Sequence, residues 1–223
     1  MIKHATSKKE CRDIRLLFTS EMSPEWELPE LPRKPAQFEE LGTLLGAWED
    51  NRLVGAAFIS PASTEANAIY DNLSGIDDDL ARDSYTWLRE KVVFIELIAT
   101  VAQYRRRGIA HRLLSKIQSI AADEGREIII AVAGNNDSRK LFAHADYIIL
   151  QPNVGLVLTA NQNDTLLDLG ILPGVPDCAF AVKEIGRSNR FSFMITHPDV
   201  SGWDHGTPMW QLTERAFHVP TNR

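Results

Sequence analysis

A strand that ends in a short basic loop, with a helix opening at once, is an arrangement able to hold an anion. The stretch from Ile95 to Leu114 reads this way. Ile95-Glu96-Leu97-Ile98-Ala99-Thr100 is strand, Arg105-Arg106-Arg107-Gly108 is loop, and Ile109 opens a helix. The first N–H groups of a helix have no intrahelical partner, and the helix dipole concentrates partial positive charge beside them. Gly108 lets a bound group approach the backbone closely, and Ala110 is too small to block it. Each dipole interaction is worth about 0.3–2 kcal/mol. Several convergent N–H groups, helped by Arg105, Arg106 and Arg107, are therefore enough to hold a diphosphate. Three arginines in a row also fit a plain solvated helix start. The glycines and lysine of a Walker loop or a dinucleotide fingerprint are missing, and the run is too short for a nucleic-acid patch.

The elements that must position this loop are legible by periodicity. The helix carries Ile109, Leu113, Ile117 and Ile120 on one face, and Gly125 ends it. Val92 to Thr100 and Glu127 to Ala133 are apolar strands on either side of the helix, which implies a parallel crossover at the centre of a sheet. Upstream, Ile2 to Ala5 reads as a strand, and Thr6 or Ser7 caps a helix running to about Met22. Pro24 to Pro35 is loop. Thr43 to Trp48 and Leu53 to Ile59 form a hairpin about Glu49-Asp50-Asn51-Arg52. Residues 61–91 make a long excursion with one or two helices, the second capped near Asp77. Downstream, Ser138 to Ala145 is a short helix, and Tyr147 to Leu150 with Gly155 to Thr159 reads as a last hairpin. Beyond 160 the pattern weakens, with short strands at Ala179 to Val182 and Phe191 to Ile195.

Composition limits the function classes. The chain has 223 residues, 44% hydrophobic, which suits one domain plus an extension. Thirty acidic against 24 basic residues leave a net charge of −6, a poor balance for a general DNA-binding surface. Cys11 and Cys178 are too few for a disulfide framework, and no Cys or His stands at zinc-ligand spacing, so no metal is expected. No apolar run is long enough to span a bilayer, and the first residues run into charge. These features point to a cytoplasmic protein with no membrane or nucleic-acid partner.

Arg105-Arg106-Arg107-Gly108-Ile109-Ala110, between a strand and a helix, resembles the acyl-CoA diphosphate motif of the GNAT acetyltransferase superfamily, Arg/Gln-x-x-Gly-x-Gly/Ala. Tyr104 and Leu113-Leu114 match it too. Asn136 to Tyr147 is similar to the family's second motif, an Asn followed by a short helix and an aromatic strand. The opening strand, helix and hairpin also resemble the family, so the likeness covers about residues 1–159. It implies a mixed α/β fold, a splayed β-sheet flanked by helices, with a C-terminal extension. The division is an acetyltransferase domain at 1–159, with 62–91 inserted near the acceptor site. The extension at 160–223 packs on that domain or on a homodimer partner. The resemblance further implies acetyl-CoA as co-substrate, lying between the strands that end near Thr100 and Ala133. Pantetheine would pair with the backbone of Ile98 and Thr100, and the diphosphate would sit on the N–H groups of Arg106 to Ala110. Asn136 would contact either arm. Phe142 stands where many members have a Tyr that protonates the departing thiolate, so a Tyr acid at that place is excluded. Asp146 replaces the usual Gly before the aromatic.

The implied reaction is acetyl transfer to a primary amine, which must first lose a proton. Glu96, on the strand before the loop, is the candidate base, as in several members of the family. Its neighbours Ile95, Leu97 and Ile98 are apolar, and an unpaired buried carboxylate there would be costly. The excursion at 62–91 carries seven acids (Glu65, Asp71, Asp77, Asp78, Asp79, Asp83 and Glu90) against Arg82, Arg89 and Lys91. That excess favours a small cationic amine, although Asp77 to Asp79 also read as a helix cap. Tyr70, Tyr85 and Trp87 fit an aryl-alkylamine site or the core. Trp203, Asp204, His205 and Trp210 in the tail fit packing against the domain, a cover over the cleft, or a dimer contact. Two other functions share these features: a non-catalytic acyl-CoA-binding module and a protein N-terminal or lysine acetyltransferase.

Overall fold

The computed structural model describes residues 1–24, 26–73, 76–162, 165–186, 188–196 and 213–214. Its elements run β1 (Ile2–His4), α1 (Lys8–Glu21), α2 (Phe38–Leu41), β2 (Thr43–Glu49), β3 (Arg52–Pro61), α3 (Ser63–Asn72), α4 (Asp78–Lys91) and β4 (Val92–Thr100). Then come α5 (Ile109–Asp123), β5 (Ile128–Ala133), α6 (Asn136–His144), β6 (Ile148–Ile149), β7 (Leu156–Gln162), β8 (Thr165–Leu172), β9 (Ala179–Glu184), β10 (Phe191–Thr196) and β11 (Thr213–Glu214). Seven strands form one sheet in the order β1-β2-β3-β4-β5-β9-β6, and four form a second in the order β11-β10-β7-β8. Among the described residues only β4 and β5 pair in parallel, through the α5 crossover; the other ladders are antiparallel. This is the mixed α/β sheet expected.

The local reasons are those read from the sequence. Ser7 caps α1, its hydroxyl accepting from the Glu10 N–H. The stripe Ile109, Leu113, Ile117 and Ile120 on α5 is buried, and the helix stops at Gly125, whose φ of +67° suits glycine. Three buried clusters divide the protein. One lies under α5 and α6, with Val93 and Ile95 of β4. The second lies under α1 on the other face, with Leu97 and Ala99 of β4. The third joins α3, α4 and the second sheet, and takes Val92 and Phe94 of β4.

The chain after Asp146 departs from the expected hairpin. β6 has two residues and pairs with β9, not with β7. The turn passes through Asn153 at φ +66°, and β7 leaves for the second sheet, where it pairs with β8 and β10. Five consecutive residues of β7 are buried, so it needs cover on both faces, which an edge hairpin would not give. Strand β7 crosses the boundary at 159/160, and β9 enters the first sheet beside β5. Trp203, Asp204, His205 and Trp210 lie outside the described residues.

The acids that open α4 are caps and surface pairs. Asp77 accepts from the N–H groups of Asp79 and Leu80, Asp79 is paired with Arg82, and Asp83 with Arg190. Asp77→Ala is expected to cost about 1 kcal/mol in a denaturant titration, with acceptor KM unchanged. A shift in KM without a stability loss would reassign the residue to the cleft.

Candidate functional site

The centre of the first sheet is open on one side. β4 and β5 pair from Val92↔Ile128 to Ile95↔Ala131 and no further. β4 continues along β3 to Thr100↔Gly55, while β5 continues along β9 to Ala133↔Ala179. The edge of β4 that faces β5 therefore has no strand partner from Glu96 to Thr100 among the described residues. Ile98 and Thr100 both lie on this edge, where an extended ligand can pair as an added strand.

Beyond Thr100 the chain makes a 3-10 turn, Ala102–Tyr104, and two left-handed residues follow, Arg106 at φ +63° and Gly108 at φ +74°. These bends bring the chain directly into α5. The helix has no side-chain cap and no acid in its first turn, and the first helical bond is Arg112 N–H to the Gly108 carbonyl. The N–H groups of Ile109, Ala110 and His111 are left for an anion. A Cβ on Gly108 would have no heavy atom within 4 Å, so the space beside the loop is open. Ile109 is 1% exposed, so it can contribute only its backbone; Ala110 is half-buried.

The three arginines are not equivalent. Arg105 donates through Nε to the Thr100 carbonyl at 3.1 Å and through Nη2 to Glu21 of α1 at 2.7 Å. It acts as a strut between α1 and the end of β4. The Arg107 guanidinium lies 5.1 Å from the Tyr104 ring centre. Arg106 is exposed and has no ion pair among the described residues, so it is the arginine left for a ligand.

Glu96 sits at a bulge. The β3 ladder goes from Phe58↔Leu97 directly to Ile59↔Ile95, so Glu96 is the extra residue. Such a residue shares the face of its neighbour across the bulge, here Leu97, opposite α5. Its carboxylate accepts from the Ser60 hydroxyl at 2.5 Å. On that face Phe94 belongs to the α3 cluster and Leu97 to the α1 cluster; Glu96 lies at the break between them. It is exposed, where its apolar flanks suggested burial, because the bulge turns it out of the core. Glu65, in the first turn of α3, stands in its electrostatic field. Burial, and then the Glu96 charge, push the Glu65 carboxyl above the usual carboxylate range.

Other expected residues are placed elsewhere. The Trp87 indole is core, donating to Glu127 at 2.9 Å and packed on Phe191 and Phe193. Tyr70 and Tyr85 meet edge to face, and Tyr85 donates to Asn67, so both belong to the α3–α4 contact. Asn135, not Asn136, caps α6 by accepting from the Ser138 N–H; Asn136 is exposed in the first turn. Phe142 is 2% exposed and packs on Tyr147 with ring centres 5.1 Å apart. Burial pushes the Tyr147 phenol far above its ordinary range, so it stays protonated inside the core.

Sequence reasoning did not find Trp26. Two atoms of its ring lie 2.5 and 2.7 Å from where a Cβ on Gly134 would stand, at the end of β5. The preceding loop therefore reaches from the α1 face across to the diverging strand, and only glycine at 134 admits the indole. Cys11 and Cys178 are both free. Among the described residues no group of three or more His, Cys, Asp or Glu could hold a metal ion, and no helix is long and apolar enough to cross a membrane.

Comparison with known proteins agrees with this geometry. Residues 11–147 match the family model of the acetyltransferase (GNAT) family. An N-acetyltransferase from Staphylococcus aureus Mu50 is similar in structure, with a TM-score of 0.50 and 17% identity over 82% of this chain and 97% of that one. The Salmonella typhimurium yncA protein, solved with its cofactor acetyl-CoA, gives 0.52 at 13% identity over 84% and 95%. An agmatine N-acetyltransferase in its apo form gives 0.50 at 16% over 83% and 99%. At these identities the structural likeness speaks for the fold. No curated protein sequence matches the chain.

Proposed function

The chain belongs to the acetyltransferase (GNAT) family and is an acyltransferase, and from that premise we propose that it moves an acetyl group from acetyl-CoA to a small cationic primary amine, by direct transfer in a ternary complex. The observation that carries this reading is the unpaired edge of β4, with an exposed carboxylate at one end and an uncapped helix N-terminus at the other.

When bound, acetyl-CoA supplies an activated thioester. On this reading the backbone of Ile98 and Thr100 holds the pantetheine arm. The N–H groups of Arg106, Arg107, Gly108, Ile109 and Ala110 hold the diphosphate, with the Arg106 side chain beside it. Arg105 keeps the end of β4 in place, and Asn136 reaches the same arms. Glu96 takes the proton that an ammonium must lose before its nitrogen can attack. At pH 7 an alkylamine of pKa about 10.4 is roughly 0.1% or less in its neutral form, so a nearby acceptor for that proton raises the rate. The amine nitrogen then bonds to the acetyl carbon, the C–S bond breaks, and the second proton that leaves the nitrogen passes through solvent to the departing thiolate. A thiol leaves readily enough for this without a tyrosine, consistent with Phe142 buried in the core. Tyr70 and Tyr85 are engaged with each other and with Asn67 at the α3–α4 contact, which favours charge over stacking as the means of recognition.

The reading is tested by CoA release with a panel of small amines and peptides. Turnover of small alkylamines is expected. Preference for peptides would make the protein a protein acetyltransferase, and acetyl-CoA binding with no turnover of any acceptor would overturn the assignment of substrate and base together.

A further inference from the structure

We propose that Ser60 positions Glu96 for proton acceptance, its hydroxyl holding one carboxylate oxygen so that the other is presented to the acceptor nitrogen. This rests on Glu96 taking the proton in the acetyl-transfer reading above, and adds the residue that aims it.

The need for such a residue follows from where Glu96 stands. It is the extra residue of the bulge in β4 and it is exposed, so packing does not fix its side-chain torsions. Among the described residues no cation is paired with it. An unheld carboxylate of this kind samples many directions, and confining a long side chain to one of them costs rotamer freedom. A base acts only within hydrogen-bond reach of the proton it takes. The group must therefore be aimed before the amine arrives.

Ser60 is placed to do so, because its backbone is held on both sides. In the β3–β4 ladder Ser60 pairs with Phe94, and Pro61 after it pairs with Val93. On the other side, the chain entering β2 comes so near that a Cβ on Gly42 would stand 2.9 Å from the Ser60 Cα. The Ser60 side chain has one heavy-atom torsion, so a fixed backbone leaves its hydroxyl few positions. That hydroxyl donates to Glu96 Oε1 at 2.5 Å, a short bond of the kind a charged acceptor gives. Phe94, the ladder partner of Ser60, precedes Glu96 by two residues on the same sheet face, so the donor reaches its acceptor along that face. With Oε1 engaged, Oε2 is left to take the ammonium's proton, giving R–NH2 and a neutral Glu96 carboxyl. The Ser60 hydroxyl keeps its own proton before and after that transfer. Ser60 thus acts through Glu96 and is a positioning residue.

The experiment is steady-state kinetics with an alkylamine on Ser60→Ala and Ser60→Thr, each made alone and together with Glu96→Gln. Ser60→Ala is expected to lower kcat about tenfold, an activation difference of about 1.4 kcal/mol, with KM for acetyl-CoA unchanged. Ser60→Thr, which keeps the hydroxyl and suits a strand, should recover most of the rate. In the Glu96→Gln background Ser60→Ala should cost no further rate, because no proton acceptor remains to be aimed. An unchanged kcat in Ser60→Ala overturns this inference alone. So does a loss of the same factor in both backgrounds, which would mark a structural effect at the end of β3. Failure of the unaltered protein to acetylate any amine, or full activity of Glu96→Gln, overturns the reading beneath it as well.

Discussion

Replacing Gly108 by Trp is expected to abolish acetyl-CoA binding in a chain that still folds. Gly108 occupies the left-handed region at φ +74°, so any other residue there is strained by about 1–2 kcal/mol. That cost alone would lower the melting temperature by a few degrees in a chain of this size. A Cβ at this position has no heavy atom within 4 Å, so the substituted side chain starts in open space. An indole would instead fill the space beside the free N–H groups of Ile109 and Ala110, where the diphosphate is proposed to sit. The expected loss in calorimetric affinity is at least about a hundredfold, or about 2.7 kcal/mol. Gly108→Ala separates strain from blockage, because it carries the same backbone cost with almost no bulk and should bind far better than the Trp variant. Undiminished binding in a folded Gly108→Trp protein would remove the loop from the cofactor site.

The contrast between this loop and the rest of the site shows what a sequence makes legible. The loop is local: strand, bend, glycine and helix follow one another within about fifteen residues, and each has its own signal. The α5 stripe and the Ser7 cap are local in the same way. The bulge at Glu96 has no such signal, because Ile95-Glu96-Leu97-Ile98 contains neither glycine nor proline, and the extra residue is defined by the register of β3. Arg105 is bound to Glu21, 84 positions away in the chain, so its difference from Arg106 is a tertiary fact. β9 enters the first sheet from beyond residue 160, pairing with the edge of β5 that faces away from β4. Ala179 to Val182 is readable as a strand; its neighbours are not. Long-range pairing sets all of these, and short-range periodicity reports none of them.

The acid–base assignment has the largest kinetic consequence. Glu96→Gln is expected to lower kcat/KM for an alkylamine by something like 10²–10⁴, while leaving acetyl-CoA affinity almost unchanged, because the proposed pantetheine contacts are to the backbone of Ile98 and Thr100. The substitution is a clean one here. The Ser60 hydroxyl that donates to the Glu96 carboxylate can donate equally to the carbonyl oxygen of a Gln amide, so the bulge keeps its side-chain anchor and only proton acceptance is lost. The pH dependence separates this from a loss of binding. If Glu96 accepts the amine's proton, the deficit is greatest near neutral pH, where nearly all the amine is charged. It shrinks as pH rises towards the amine pKa of about 10.4, since the free amine then arrives without needing a base. A positioning role would instead give a rate lowered by one factor at every pH. Parallel pH–rate profiles for Glu96→Gln and the unaltered protein would leave Glu96 as an orienting group. With Asp77, Asp79 and Asp83 engaged in the fold, the base would then be sought among the other acids of 62–91, or the amine would lose its proton to bulk water before it binds.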